Sequence, residues 1–256
     1  MYREKTSLDG RLAAVTGGSR GIGLAIAEAL AEYGARVILL DRDADLLREG
    51  EAALKAKGYS VLSRVVDVTD APAVRAVADR IAADEGGADI LVANAGIGRP
   101  PVAAEDVEDA DWLAVNDVNL NGVFWCNRAF GRHMLAKGAG AIVNVGSMSG
   151  LIVNRPQGQS HYNASKAAVH HLTRTLAAEW AGRGVRVNAV APTYIETPLI
   201  AHAEASGLAA QWRGDTPMGR FGQAHEVASV VQFLASDAAS LMTGAVVPVD
   251  GGFTCW

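Results

Sequence analysis

Short apolar runs alternate along the whole chain with longer segments in which apolar residues recur every three or four positions. The runs predict seven strands, at Leu12–Thr16, Arg36–Asp41, Val61–Asp67, Ile90–Asn94, Ala141–Ser147, Arg186–Ala191 and Ala245–Asp250. The run at 37–40 is apolar at every position, as in parallel strands with helices on both faces. Ile22, Ile26 and Leu30 show the helical spacing between runs. We therefore predict one α/β domain over residues 1–256, doubly wound, with about seven parallel strands and helices on both faces.

One long segment has neither pattern. Residues 192–222 include Pro192, Pro198 and Pro217 and follow the sixth predicted strand. A loop this long within a compact domain is usually functional. We expect a lid-like loop there.

Composition narrows the class of protein. Half of the 256 residues are hydrophobic, a fifth are charged and the net charge is −5, with basic residues scattered along the chain. This argues against nucleic acid or an anionic membrane as a partner. No run reaches the ~18 to 20 apolar residues of a membrane span, and no secretory signal is visible, so we expect a cytoplasmic protein. Cys126 and Cys255 read as reduced thiols.

A glycine-rich octet, Thr16–Gly23, leads from the first strand into a helix, with the spacing G-x-x-x-G-x-G. At this turn the backbone N–H groups and the helix N-terminus can hold a pyrophosphate, and glycine leaves room for it. The turn predicts a Rossmann-type dinucleotide site. Its expected contacts are Gly17, Ser19, Arg20, Gly21, Ile22 and Gly23.

Asp41 ends the second strand, 24 residues after Gly17. A carboxylate there accepts hydrogen bonds from the adenosine ribose and repels the extra phosphate of NADP, whereas Arg20 or Arg42 would attract that phosphate. We predict NAD as the cofactor, with NADP second.

Further cofactor contacts are expected at the ends of the third and fourth strands. Asp67, with Val68 beside it, could accept from the adenine amino group, or Asp67 could instead cap the turn before Thr69. After the fourth strand, small residues allow close approach of the backbone to the cofactor, and these are Asn94, Ala95 and Gly96.

Tyr162 and Lys166 are four residues apart in a segment with helical spacing, which places both on one helix face. A cation held beside a phenol favours phenolate, so Tyr162 could act as a general base and, in reverse, as a general acid. Lys166 could also reach the nicotinamide ribose.

Two serines precede this pair. Ser147 is at the end of the fifth strand, and we favour it over Ser149 as the hydroxyl that holds the substrate oxygen. Met148 stands where a nucleophile elbow would have serine, so no acyl-enzyme is implied. His170 and the other histidines show no ligand spacing, so we interpret them as structural or surface residues, and we expect no catalytic metal.

Six of these segments, in this order, resemble the short-chain dehydrogenase/reductase family over nearly the whole chain. They are Thr16–Gly23, Asn94–Gly96, Asn119–Gly122, Gly146–Ser147, Tyr162–Lys166 and Pro192–Thr197. The resemblance implies a catalytic tetrad of Asn119, Ser147, Tyr162 and Lys166, with Asn119 holding a water of a proton relay. It also implies nicotinamide contacts at Pro192, Ile195 and Thr197. Thr193 departs from the family's usual glycine.

Within the family the chain is most similar to polyol dehydrogenases, on residues 146–157, 177–184, 216–220 and 250–256. This similarity implies a homotetramer with C-termini meeting at an interface, and a structural magnesium ion near that terminus. An indole at the chain end favours burial of Trp256 against a neighbouring subunit, with a tail packed on its own subunit as the alternative.

The substrate expectation follows from polar residues near the site. Ser147, Ser149, Asn154 and Tyr162 are expected to bind substrate, with Gln159 and His161 nearby, which suits a polyol, sugar alcohol or vicinal diol. Apolar residues such as Leu151 and Trp212 could instead line an apolar wall. The alternatives are a 3-oxoacyl thioester reductase and a nucleotide-binding regulator without catalysis.

Overall fold

The computed structural model describes residues 1–197, 200 and 207–256. Its seven strands are β1 (Leu12–Thr16), β2 (Arg36–Asp41), β3 (Val61–Val65), β4 (Ile90–Ala93), β5 (Gly140–Val145), β6 (Val185–Pro192) and β7 (Val246–Val249). They form a single parallel sheet in the order β3-β2-β1-β4-β5-β6-β7. All seven predicted strands are therefore confirmed, with ends that differ by at most two residues from the prediction.

The helices are α1 (Tyr2–Thr6), α2 (Gly21–Glu32), α3 (Ala44–Ala56), α4 (Ala71–Glu85), α5 (Asp109–Asn116), α6 (Val123–Lys137), α7 (Ser160–Trp180), α8 (Leu208–Asp215) and α9 (Ala224–Ala235). A π-helical segment, Asp117–Gly122, joins α5 to α6, and a 3₁₀ turn, Met148–Gly150, follows β5. None of the helices in the described ranges is long and apolar enough to span a bilayer.

Two apolar layers cover the sheet. One contains α2, α3 and α9, with Ile26, Leu47 and Val231 buried against the strands. The other contains α4, α6 and α7, where Ile81 and Met134 are buried. Because both faces of each central strand are covered, the strands are apolar throughout, which is why the sequence pattern predicted them.

The chain order places the candidate site. From β1 the chain builds β2 and β3 outward on one side, then crosses to β4 on the other side of β1. Ligands of doubly wound sheets bind where the carboxyl ends of the strands meet such a reversal. The β1 and β4 ends, which carry Gly17 and Asn94, lie at this point.

Candidate active site

The turn after β1 has the backbone geometry of a phosphate cradle. Gly17 and Gly21 have φ angles of 59° and 56°, which favour glycine. A Cβ on Gly23 would lie 2.0 Å from the Gly17 carbonyl oxygen, so α2 can approach the turn this closely only with glycine there. No side chain caps the N-terminus of α2 at Arg20. The first backbone N–H groups of α2 therefore fit the donor set that a pyrophosphate needs.

Asn94 stabilises this turn from the neighbouring strand. Its Nδ2 donates to the carbonyl oxygens of Thr16, at 2.9 Å, and Gly17, at 3.0 Å. In return the backbone N–H groups of Asn94 and Ala95 each donate to Thr16 Oγ1 at 3.0 Å. The Asn94 amide thus holds the β1 and β4 ends together.

Asp41 lies at the carboxyl end of β2, partly buried, where its carboxylate accepts a hydrogen bond from Ser19 Oγ. Ser19 belongs to the glycine-rich turn, so the structure brings these two predicted cofactor residues into contact. Next to them a cavity of about 590 Å³ opens between the ends of β2 and β3, and its lining includes Arg42 and Asp67.

Asp67 takes the capping role that we considered as its alternative. Its Oδ1 accepts from the Thr69 backbone N–H at 2.9 Å and from Thr69 Oγ1 at 2.8 Å. The Thr69 backbone contact, which outweighs the cost of burial, lowers the pKa of the Asp67 carboxyl. Val68 is buried, and a Cβ on Gly122 would lie 2.8 Å from its Cγ2, so Val68 packs on the π-helical segment.

Tyr162 and Lys166 lie on the first turns of α7, facing the carboxyl end of β5. Lys166 is buried, its Nζ lies 5.6 Å from the Tyr162 ring centroid, and it donates to the Val145 carbonyl oxygen at 2.9 Å. Burial lowers the pKa of the Lys166 ammonium to about 8. The ammonium is therefore the main form at neutral pH.

The prediction that the protein's own groups lower the pKa of the Tyr162 phenol is wrong. We expected Lys166 to lower the pKa of the phenol, but burial dominates and raises it, with the Ser147 hydroxyl opposing the rise. The reason is that Lys166 Nζ is directed to the Val145 carbonyl oxygen, while the phenol is desolvated. Near neutral pH the phenol thus keeps its proton.

Ser147 and Ser149 form one hydrogen-bonded pair in the turn after β5. Ser147 Oγ donates to Ser149 Oγ at 3.1 Å and accepts from the Ser149 backbone N–H at 3.1 Å. Gln159 Nε2 donates to Ser149 Oγ at 3.4 Å. The Ser147 hydroxyl also hydrogen-bonds the Tyr162 side chain and thereby opposes the rise in the pKa of the phenol. This contact favours Ser147 over Ser149 as the group beside the phenol.

Asn119 is fully buried within the π-helical segment. Its Oδ1 accepts from the Ile97 backbone N–H at 2.8 Å, and its Nδ2 donates to the Ile97 carbonyl oxygen at 2.9 Å and to Ser165 Oγ at 3.3 Å. The side chain is therefore committed to protein partners. It ties the loop after β4 to α7 at Ser165, the residue before Lys166.

The segment after β6 closes back on itself around the site. Ile195 forms a bridge with Gly222, and the Thr197 methyl lies 3.6 Å from where a Cβ on Gly21 would be, so this segment reaches the glycine-rich turn. Pro192 ends β6. The prediction of one irregular loop over 192–222 is wrong in part, because it contains helix α8. Residues 198, 199 and 201–206 of the expected lid lie outside the described residues.

Asn154 is not free for a substrate in the way we expected. Its Nδ2 donates to Tyr194 Oη at 3.0 Å, Gln157 Nε2 donates to the same oxygen at 2.7 Å, and Trp212 Nε1 donates to Gln157 Oε1 at 3.2 Å. The Tyr194 ring stacks on Trp212 with centroids 3.9 Å apart. Only Asn154 Oδ1, which is buried without a partner in the described residues, is left for a ligand.

His161 does not contribute a hydrogen bond to the described site. It is fully buried, and neither ring nitrogen has a partner among the described residues. The sequence interpretation gave His170 only a structural or surface role, although its four-residue spacing from Lys166 could have indicated a position beside the site. The His170 Nε2 accepts from the Ser147 backbone N–H at 3.4 Å.

The chain end was expected to lie near a magnesium ion. In the described part of the chain, no group of three or more His, Cys, Asp or Glu side chains is placed to hold a metal ion. Both Asp250 carboxylate oxygens instead accept from the tail, from the Gly252 N–H and from the N–H and hydroxyl of Thr254. Asp250 therefore folds the tail, and Trp256 beyond it is 73% exposed.

Comparison with known proteins finds a family match over most of the chain and curated relatives of similar length. Residues 17–254 match the family described as enoyl-(acyl carrier protein) reductase. A galactitol 2-dehydrogenase of Rhizobium johnstonii is 60% identical over 257 aligned positions, which cover 100% of this chain and 99% of the relative. The L-tagatose-forming galactitol 2-dehydrogenase of Cereibacter sphaeroides is 54% identical, with the same coverage of both chains.

A solved structure extends the similarity to three dimensions. The gluconate 5-dehydrogenase of Burkholderia cenocepacia, crystallised with NADP and tartrate, superposes with a TM-score of 0.95 at 37% sequence identity, covering 100% of both chains.

Proposed function

The chain belongs to the short-chain dehydrogenase/reductase family, and from that membership we propose that it oxidises a secondary alcohol of a sugar alcohol such as galactitol, with NAD as hydride acceptor. One observation carries the proposal: Tyr162, Lys166 and the Ser147–Ser149 pair converge at the carboxyl end of β5. The galactitol dehydrogenases among its relatives support the substrate class.

A bound nicotinamide dinucleotide would supply the hydride-acceptor chemistry, and the glycine-rich turn, Asp41 and Lys166 would hold it. Ser147 holds the substrate oxygen through its hydroxyl, next to the phenol. Tyr162 removes the proton of the substrate hydroxyl, or donates a proton to the oxygen in the reverse direction. Lys166, whose buried ammonium lies beside Tyr162, would hold the cofactor ribose.

The raised pKa of Tyr162 predicts how the rates of ketone reduction and alcohol oxidation depend on pH. Because burial raises the pKa of the phenol, ketone reduction, which needs the proton on Tyr162, is favoured at neutral pH. Alcohol oxidation needs the phenolate and therefore accelerates on the alkaline side.

The choice of NAD rests on Asp41 and its contact with Ser19. With the Ser19 hydroxyl donated to it, the carboxylate is held at the end of β2, where a ribose binds in this fold and where a further phosphate would meet negative charge. We expect Asp41→Ser to use NADP with a higher kcat/KM than the parent does. Asp43→Ser, two residues further along the chain, should leave kcat/KM with NAD and with NADP unchanged. A variant that still refuses NADP would show that Asp41 does not select the cofactor.

The substrate proposal is tested by NADH formation with galactitol and a panel of sugar alcohols and vicinal diols at mildly alkaline pH. We expect turnover with at least one hexitol, and Tyr162→Phe to lose about 10³-fold or more in kcat because the acid–base group is gone. Good NADH binding without activity on any alcohol would favour the regulator. Activity with 3-oxoacyl thioesters alone would favour the reductase.

We also propose that the protein works as a homotetramer, as the polyol dehydrogenase resemblance implies. Trp256 supports this, since an indole 73% exposed on a single chain gains from burial against a neighbour. We expect removal of Cys255–Trp256 to shift the molecular mass measured by light scattering below that of a tetramer. A truncated protein with unchanged mass would exclude the tail from the interface.

A further inference from the structure

His170 lies directly beneath the turn that carries both serines. It is 2% exposed and belongs to α7, four residues after Lys166, on the same helix face. A Cβ on Gly146 would lie 2.2 Å from His170 Nε2, and a Cβ on Gly150 would lie 2.7 Å from Cε1. The imidazole therefore lies against the backbone at both ends of the serine turn, and glycine at 146 and 150 makes the room for it.

The imidazole also makes a specific polar contact there. Its Nε2 accepts from the Ser147 backbone N–H at 3.4 Å, which requires an unprotonated Nε2. Burial, followed by the positive charge of Lys166, lowers the pKa of His170 to about 4; Arg174 lowers it further, and the Gly150 backbone opposes the shift. The ring is thus neutral at neutral and alkaline pH.

Two successive turns of α7 hold the end of β5. Lys166 Nζ donates to the Val145 carbonyl oxygen, and one turn later the His170 ring accepts from the Ser147 N–H. The Ser147 hydroxyl is then fixed from its other side by the Ser149 backbone N–H. The orientation of the Ser147 Oγ towards Tyr162 therefore depends on where the ring places the turn.

We propose that His170 is a positioning residue for the reaction, a neutral imidazole that sets the Ser147 hydroxyl against the Tyr162 phenol. This inference rests on the proposed function, because it gives Ser147 the substrate-holding role. The role requires two properties of the imidazole: a hydrogen-bond acceptor at Nε2, and the volume of a flat ring between two glycines. A residue that lacks either property should misplace the serine without touching substrate or cofactor.

The test compares three replacements of His170. His170→Leu keeps an apolar volume but removes the acceptor, and we expect kcat/KM for galactitol to fall about tenfold, which corresponds to about 1.4 kcal/mol. His170→Gln supplies an amide oxygen at similar reach and should stay within about threefold of the parent. His170→Asn, too short to reach the Ser147 N–H, should behave like the leucine variant and serves if His170→Leu is recovered poorly.

His171→Leu is the matched control, since the same change is made one residue along at an exposed position of α7. It should leave kcat/KM, the pH profile and NADH affinity at parent values. NADH affinity, measured by fluorescence titration, should also be unchanged in all three His170 variants, because the cofactor residues lie elsewhere.

The pH profile separates positioning from a merely structural role. The Ser147 hydroxyl opposes the burial-driven rise in the pKa of Tyr162, so a displaced serine should move the alkaline rise of alcohol oxidation upward. We expect a shift of roughly half a pH unit in His170→Leu and His170→Asn, and none in His170→Gln or His171→Leu.

Each outcome tests a different part of the proposal. A parent protein without polyol turnover overturns the proposed function and this inference together. An active parent whose His170→Leu variant keeps the parent kcat/KM and pH profile overturns the role of His170 alone. A glutamine variant that falls as far as the leucine variant, with an unshifted profile, would show that His170 only fills space.

Discussion

The phenol of Tyr194 joins the segment after β6 to the turn that follows Ser147 and Ser149, and its removal should weaken both stability and substrate binding. Tyr194 is 9% exposed, and its oxygen accepts from Asn154 Nδ2 at 3.0 Å and from Gln157 Nε2 at 2.7 Å. Tyr194→Phe removes that acceptor but keeps the ring stacked on Trp212. Two buried N–H groups then lose their partner, while packing is almost unchanged.

The magnitude follows from those two groups. Each buried donor left unsatisfied costs about 1–3 kcal/mol, and the loss of the buried phenolic hydroxyl recovers part of this. The net expectation is roughly 2–4 kcal/mol. For a chain of this length about 1 kcal/mol lowers Tm by roughly 2–4 °C, so Tm should fall by about 5–15 °C.

The assay is thermal unfolding at one fixed protein concentration, followed by steady-state kinetics with a sugar alcohol. Since Asn154 and Gln157 belong to the turn that continues from the serines, KM should rise more than kcat falls. Tyr33→Phe, at a ring 44% exposed, is the matched control and should leave Tm within about 1 °C of the parent. If Tyr194→Phe also stays within about 1 °C and keeps the parent KM, the two amides do not depend on the phenol.

Three further predictions concern the cradle, the serines and acid stability. Gly23→Ala should yield unstable protein with weak NADH binding, because its Cβ would lie 2.0 Å from a backbone oxygen, and Tm and fluorescence titration measure the two effects. The control is Gly214→Ala, whose Cβ would have nothing within 4 Å, and it should be at least as stable as the parent. Ser147→Ala should lower kcat/KM by about 10² or more and Ser149→Ala by less than about tenfold; the reverse order would transfer the substrate-holding role to Ser149. His170 is neutral in the fold but takes a proton near pH 6.5 when unfolded, so the unfolded chain binds more protons between about pH 4 and 6.5, and stability falls with acid over that window. Urea unfolding across that window should show a shallower pH slope in His170→Gln, and an identical slope would contradict the buried neutral ring.

Much of the site could be predicted because residues close in sequence carried its geometry. Tyr162 and Lys166 share a helix face by their spacing alone, and the glycine-rich turn needs glycine for its own backbone angles. The carboxyl ends of parallel strands meet at one edge of the sheet, so the positions of Asp41, Asn94 and Ser147 followed from the strand order.

The parts that could not be predicted depend on contacts between distant segments. Asn154 is 40 residues from Tyr194, so nothing local indicated that its amide is committed to the phenol. Helix α8 was hidden because Pro198 and Pro217 flank a short apolar pattern. The direction in which the pKa of Tyr162 shifts could also be known only from the fold, since burial and the distance to Lys166 Nζ are properties of the packed protein.

The sequence by itself determined the strands, the order of the motifs and the candidates for the reacting groups, because local periodicity and backbone preference do not depend on distant partners. Only the tertiary structure decided which polar groups are already occupied. Hydrogen bonds from Asn119 to Ile97, from Asn154 to Tyr194 and from Ser147 to His170 are each formed across more than 20 residues of chain. Such pairs form only when strands and helices have packed, because burial is what makes an unpaired donor costly and so selects its partner.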